Sequence, residues 1–555
     1  MTWPLASQMD RAAIGWIGDN YLYIWMIGWF KKALFELHQS PLLAPVLNYP
    51  QGYNLAYTDI PFTMVLIGLP ASLMSTPALG YNVSIFVSFV LSGLGVYLWV
   101  RRLTDNMAAS VIAGVVFAFA PYRMSHLLGH LNLMGTQWFP FYFMSLGDLI
   151  GMRKWSWKTI VVASVSLGLI GLTSQYYLYM TLLISVAYVL GHLLFEHKLV
   201  SQFEFWKRFG AFAIIALPLV ILSVMPYLGL ASQDNLTHSL GVVRVWSASP
   251  TDFILPSPKH FIWGEWVART FDRSLWIENT LYIGVVSLFF APLALLKRKE
   301  ALSQGNGIIE ASCLAAGIAF VLALGTDLHW LGQSVKVSVP LFLRHWYPYS
   351  QTPLPLPGYL LFRFFPFYAG MRVWMRYGIF VSLFTSILAG IGVAWLLSRI
   401  KHRLIIPLSI LILFLAFVDF YPGAQPLSQV TIRPVDAWLI SQDPGALAQF
   451  PFWQIKLPQL AYATLIHNKP LIGDPFGTFS TVQFRQIQPI LSSFPDQNSV
   501  DLLRGLGARW IVVDSTQYQN FAQIRTTVES LGLHFRVALD EQYVYELDQE
   551  PMVVY

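Results

Sequence analysis

The chain has 555 residues, 55% of them hydrophobic and only 12% charged, with a net charge of +6. A soluble globular chain carries about 25% charge, so the composition excludes a soluble enzyme, and the basic excess is too thin for a nucleic-acid binder. One cysteine, Cys313, excludes a disulfide framework, a CxxC redox pair and a thiolate zinc cluster.

The chain opens with Gly15-Trp16-Ile17-Gly18-Asp19-Asn20, followed by an aromatic amphipathic stretch over 21–37 with Trp25 and Trp29 four apart. A helix over 21–30 is too short to cross hydrocarbon, and Lys31-Lys32 follow at once. The apolar run 61–74 carries Pro61 and Pro70 and is also short, so it reads as interfacial or re-entrant. Ten further runs approach the roughly 20 residues that span a bilayer core. They are 82–100, 107–121, 134–150, 159–174, 177–195, 210–230, 280–296, 308–325, 377–398 and 404–420.

Basic clusters follow every second run: Arg101 and Arg102; Arg153, Lys154 and Lys158; Lys198, Lys207 and Arg208; Lys297, Arg298 and Lys299; Arg399, Lys401 and Arg403. All five share one side if the ten helices alternate, and short basic loops face the cytoplasm. The outer side then receives 1–80, 123–132, 231–279, 326–376 and 421–555. Nothing before residue 80 could carry that loop across, so the pattern is expected to lack a first transmembrane helix.

Beyond 421 the character changes. Strand-like runs at 510–514, 534–538 and 543–547 alternate with helix-like runs at 498–506 and 522–531, the pattern of a small α/β domain. Three regions result: a first extracytoplasmic loop with interfacial helices (1–80), a transmembrane bundle of about ten helices (81–420) and an extracytoplasmic α/β domain (421–555). The fold class is mainly α, a polytopic transmembrane helix bundle with a small C-terminal α/β domain.

Ionisable groups near hydrocarbon are costly and usually have a task. Asp19 stands before an aromatic helix, as an N-cap, a catalytic carboxylate or both. Asp59, in Tyr57-Thr58-Asp59-Ile60-Pro61, reads first as the N-cap of the helix that follows and second as a catalytic carboxylate. In Tyr122-Arg123-Met124-Ser125-His126-Leu127-Leu128-Gly129-His130 the two histidines share a helical face. That spacing can bind a metal, though Leu127 stands where a zinc-protease HExxH needs Glu; an interfacial pair of amphipathic side chains is the plainer alternative, and Arg123, His126 and His130 on an anionic headgroup is preferred to a metal site. Glu278, in Trp276-Ile277-Glu278-Asn279, sits at a helix entrance and joins the catalytic candidates. Arg372 and Arg376, also at a helix entrance, read as a phosphate clamp in preference to snorkelling side chains. Gln175 and Tyr176 rank lower among the outer-loop residues. No second carboxylate adjoins Asp19, and no residues are assigned to a metal.

The order of these pieces resembles the GT-C superfamily of integral-membrane glycosyltransferases, and within it the bacterial membrane proteins of uncharacterised activity. The matching segments are Gly18-Asp19; Ser92-Gly93-Leu94-Gly95-Val96-Tyr97 leading to Arg101-Arg102-Leu103; Phe117-Ala118-Phe119-Ala120-Pro121-Tyr122-Arg123; Glu278 with Tyr282 and Gly284; Arg372 with Arg376 before Leu388-Ala389-Gly390; and 503–513 in the tail. The resemblance implies a hexosyl- or pentosyltransferase that moves a sugar from polyprenyl phosphate to a lipid, glycan or protein acceptor outside the membrane. It implies Asp19 as the general base. It leaves the cofactor open: a divalent cation is compatible with such chemistry, without a clear ligand set here. Two other classes fit the composition, a lipid-carrier flippase or transporter and a non-catalytic envelope scaffold. Polar groups gathered at the outer rim favour surface chemistry over transport.

Overall fold

The computed structural model describes residues 2–151, 155–231, 237–301, 307–339, 350–476 and 480–548. Of the basic clusters, Arg153 and Lys154 lie outside the described residues. Each of the ten apolar runs falls on a helix. Seven helical segments are long and apolar enough to cross a membrane: Pro77–Thr104, Met107–His126, Gln175–Phe195, Phe203–Leu230, Trp276–Leu296, Trp374–Arg399 and His402–Phe420. The protein is a multi-pass membrane protein. The other three runs form Trp138–Gly151, Trp157–Gly171 and Ile308–Ala323, of 14, 15 and 16 residues. At 1.5 Å per residue they reach roughly 21–24 Å, short of a full hydrocarbon core. Among the described residues, seven of the ten runs reach the length of a full span. Apolar residues outside these helices, such as Met134 at the end of the short helix Leu131–Met134, had lengthened the runs read from sequence.

The helix Phe62–Met74 folds back on the first span, Pro77–Thr104. Gly68 and Gly80 allow the contact, because a Cβ on Gly68 would lie 2.4 Å from the Gly80 carbonyl oxygen. The preceding helix, Asp19–Lys31, does not lie on a membrane surface as the amphipathic pattern suggested. Trp25 and Trp29 are fully buried and stacked, with centroids 6.1 Å apart. Trp25 Nε1 donates to Thr464 Oγ1 at 3.3 Å, on the tail helix Pro458–His467. Tail residues cover these indoles, with Phe476 lying against Trp25 at a centroid distance of 5.1 Å.

The tail is a small α/β unit. Its four-stranded sheet runs Leu533–Leu539, Gln542–Leu547, Ala508–Asp514, Ala446–Phe450 in spatial order. The last two strands are parallel, joined through the helices Pro458–His467, Val482–Leu491 and Gln497–Gly505. The other neighbours pair antiparallel. Three strands match the runs read from sequence. Ala446–Phe450 does not, because all five residues are buried and no alternation marks them. A separate ribbon pairs Ala12–Ile14 antiparallel with Leu427–Gln429, stitching the start of the chain to the segment after the last span. One apolar core accordingly unites residues of the first loop with the tail, and two others fill the bundle.

Candidate active site

The Asp19 loop is built around a glycine and an asparagine. Gly15 has φ +107°, and a Cβ there would sit 2.0 Å from the Leu128 carbonyl oxygen, so only glycine lets this loop press onto the His126–His130 turn. Asn20 is buried, and its Oδ1 accepts from the N–H groups of Gly18 (3.1 Å) and Tyr21 (2.9 Å). The helix therefore begins at Asp19 with Gly18 in the cap position, and no side chain caps it. Asp19 is freed from the capping role the sequence allowed. Its side chain is 60% exposed, with Oδ2 3.6 Å from His130 Nε2. The first turn of a helix favours a carboxylate there.

His126 ends the helix Pro121–His126, and the chain turns back within four residues to His130. Ser125 Oγ, donating to the Ile277 carbonyl oxygen at 2.9 Å, locks this turn to the segment that bears Glu278. The two imidazoles meet through their Nδ1 atoms at 3.1 Å. His126 is fully buried, and its Nε2 has no hydrogen-bond partner but lies 3.7 Å from Glu278 Oε2. Burial pushes the His130 imidazole below its ordinary value, so it is neutral near pH 7. Glu278 in turn accepts from Arg376 at two points, Nη2 to Oε1 at 2.6 Å and Nε to Oε2 at 3.2 Å. The Arg376 guanidinium also lies 5.0 Å from the Tyr176 ring centroid.

The clamp expected of Arg372 and Arg376 is thus unequal. Arg376 already carries a carboxylate partner, whereas no described carboxylate forms an ion pair with Arg372, whose guanidinium lies 5.2 Å from the Trp246 ring centroid. Asp59 also departs from expectation. It does not cap its own helix, Phe62–Met74, which starts after Pro61 without a side-chain cap. It caps a different one: Oδ1 accepts from Gln175 N at 3.0 Å, and Oδ2 accepts from Ser174 Oγ and from Asn132 Nδ2 (2.9 Å). A carboxylate at that N-terminus answers orphan N–H groups that Ser174 leaves unpaired.

Arg123 is a correction. Its guanidinium is buried and donates to the Ala118 carbonyl oxygen (2.7 Å), Ser88 Oγ (2.8 Å) and the Met134 carbonyl oxygen (3.3 Å), over the Phe89 ring. It braces the turn from inside and has no exposed surface to offer a headgroup. His126, also placed on the headgroup by the sequence, is buried behind His130.

One cavity of about 760 Å³ collects the rest. Asp19, Asp59, His130, Glu278, Arg372 and Arg376 all line it, among the aromatic side chains of Tyr23, Tyr57, Tyr176, Trp246 and Trp276. Burial, with the charges of Asp19 and Asp59 behind it, raises Tyr23 well above the ordinary phenol range, so it presents a neutral hydroxyl. His126, His130 and Glu278 bring donor atoms within 4.8 Å of one another, a set that sequence spacing did not reveal because Glu278 enters from a distant segment. Two nitrogens and a carboxylate oxygen suit a borderline cation such as zinc, and the unpaired His126 Nε2 is consistent with one. These three residues would hold it, with Arg376 competing for Glu278.

The bundle, the Asp19 loop and the α/β tail together form a GT-C-like fold. The archaeal oligosaccharyltransferase AglB from Archaeoglobus fulgidus, in complex with an inhibitory peptide and a dolichol-phosphate, superposes with a TM-score of 0.50 at 13% identity, covering 98% of this chain and 72% of that chain. The apo form of the Archaeoglobus fulgidus oligosaccharyltransferase gives 0.51 at 12% identity, covering 99% and 72%. ArnT from Cupriavidus metallidurans bound to undecaprenyl phosphate gives 0.42 at 11% identity, covering 99% and 97%. No curated protein matches in sequence. A family described as "Domain of unknown function (DUF6311)" matches residues 5–348, more than half of the chain, and the protein belongs to that family.

Proposed function

We propose that this protein is a glycosyltransferase that moves a sugar from a polyprenyl-phosphate carrier to a lipid, glycan or protein acceptor at the extracytoplasmic face. The observation that carries this reading is a single cavity holding an exposed carboxylate, Asp19, together with the uncompensated guanidinium of Arg372. A cavity of this size takes a sugar phosphate, and its aromatic walls suit a sugar ring. The likeness of fold to AglB, solved with a dolichol-phosphate, agrees with a lipid-linked donor.

In this mechanism the acceptor hydroxyl gives its proton to Asp19 while its oxygen bonds to the anomeric carbon. The bond from that carbon to the phosphate oxygen breaks, and its electron pair leaves on the phosphate. Arg372 meets the charge that develops there, and Arg376 adds to the positive field while holding Glu278. His130, neutral beside Asp19, orients the carboxylate. The ionisable groups lie at one end of the bundle, which favours surface chemistry over the midplane binding of a transporter.

The test is donor consumption by purified full-length protein offered a panel of polyprenyl-phosphate sugars with membrane-extract acceptors, with Asp19→Asn alongside. The expected result is turnover that falls by about 10²–10⁴-fold in the folded variant. Folded wild-type protein that consumes no donor from the panel would overturn the transferase reading. Turnover that survives Asp19→Asn would remove Asp19 as the base.

A further inference from the structure

One side chain touches both arginines of the cavity. The Tyr176 hydroxyl accepts the backbone N–H of Arg372 at 3.0 Å, and its ring lies 5.0 Å from the Arg376 guanidinium carbon. Tyr176 is the second residue of the helix Gln175–Phe195, whose first N–H is held by Asp59. That helix start is fixed from a further direction, because Gln175 Nε2 donates to the carbonyl oxygens of Gly171 and Ser223, both at 2.9 Å. Asp59 also holds Asn132, two residues beyond His130. The contacts form a chain from the first loop, through the turn before Tyr176, to the 372–376 segment, which comes from the far end of the sequence. Glu278 already holds the Arg376 guanidinium from one side, and the Tyr176 ring adds a second contact to it while the hydroxyl fixes the Arg372 backbone. Tyr176 references both to one rigid helix end.

We propose that Tyr176, held in place by Asp59, is a positioning residue that sets the Arg372 and Arg376 guanidiniums for the phosphate of a polyprenyl-phosphate lipid. This rests on the phosphate role given above to the two arginines. It also moves Asp59 from the catalytic candidates to a positioning role, since both of its oxygens already accept hydrogen bonds. The hydroxyl and the ring do separable things. Phenylalanine keeps the ring under Arg376 and loses only the bond to Arg372, while leucine loses both.

The experiment measures binding of polyprenyl phosphate and of the uncharged polyprenol to full-length protein in detergent, with thermal midpoints for each variant. Wild type is expected to prefer the phosphate lipid. Tyr176→Phe should weaken phosphate-lipid binding roughly 2- to 10-fold, the worth of one hydrogen bond. Tyr176→Leu should weaken it roughly 10- to 100-fold as the cation–π contact goes too. Asp59→Asn should fall between wild type and Tyr176→Leu. Polyprenol binding and the thermal midpoint of Tyr176→Phe should stay at wild-type values, which a general packing defect would not allow. Tyr176→Phe that binds the phosphate lipid as wild type does, or that loses polyprenol equally, overturns the positioning role. Wild-type protein that does not distinguish the two lipids overturns the phosphate site itself, and with it that part of the proposed function.

Discussion

Glu278 and Arg376 are both buried and grip each other at two points, so removing either one strands the other's charge. Glu278→Gln should therefore lower stability by about 3–5 kcal/mol, and Glu278→Gln with Arg376→Met should recover much of the loss. Thermal unfolding in detergent checks this. An unchanged midpoint with abolished turnover would give Glu278 a chemical role in place of a structural one. Arg123 belongs to the same scale. Arg123→Lys cannot make the forked contacts to Ala118, Ser88 and Met134, and should cost about 2 kcal/mol without changing the donor KM. A raised KM with an unchanged midpoint would return Arg123 to the phosphate. Sequence showed that charges gathered at the helix entrances, because charge is conspicuous against apolar runs. It did not show which of those charges faced inward. Arg123 and Arg372 look alike in sequence, and only packing separates a brace from a ligand-facing group. Glu278 and Arg376 are 98 positions apart, beyond the reach of any local periodicity.

At the scale of elements, helix ends carry much of the site's order. Asp59 caps a helix it does not precede, and short-range rules cannot find such a cap because the residues lie 116 positions apart. The tail helix Pro458–His467 ends on another such device. His467 is buried, and its Nδ1 accepts the Lys469 N–H at 2.9 Å, which requires an unprotonated ring nitrogen. Burial pushes the imidazole down from 6.5 to about 4. The folded state thus binds its proton later than the unfolded chain does. Stability from this group is complete above pH 6.5 and is lost as pH falls from there through about 4. The loss should amount to about 3 kcal/mol over that window. His467→Asn keeps an acceptor near Lys469 and should flatten the slope of thermal midpoint between pH 6.5 and 4. An unchanged slope would show that other groups set it. Helices were the readable elements here, because long apolar runs have one interpretation. The strand Ala446–Phe450 was not, since five buried residues fit a strand or part of a helix equally.

At the scale of the whole molecule, distant segments meet at one end of the bundle. The order of motifs suggested that shared face, but not the ribbon that enforces it. Ala12–Ile14 pairs with Leu427–Gln429, the Tyr21 hydroxyl donates to the Gln429 carbonyl oxygen at 2.6 Å, and Ser428 Oγ donates to the Gly15 carbonyl oxygen at 2.7 Å. Ala13→Pro puts a residue without an N–H into this ribbon. It should lower turnover at least about 10-fold through misplacement of Asp19 while the spans still insert, since a small displacement of a reacting group is costly. Protease accessibility of the inserted protein, measured with activity, separates the two effects. Wild-type turnover in Ala13→Pro would mean that the ribbon does not set the carboxylate.

The same ribbon has a consequence in time. Gly15 and Ser428 are 413 positions apart, so at about 5–20 residues per second the ribosome takes roughly 20–80 s to supply the second partner after the first. Throughout that interval the spans enter the bilayer one by one while the Asp19 loop has Asn82 and the His126–His130 turn to rest on but lacks its ribbon partner. If the ribbon sets Asp19 as proposed, a nascent chain is inert until the last span, His402–Phe420, and the segment behind it have been made.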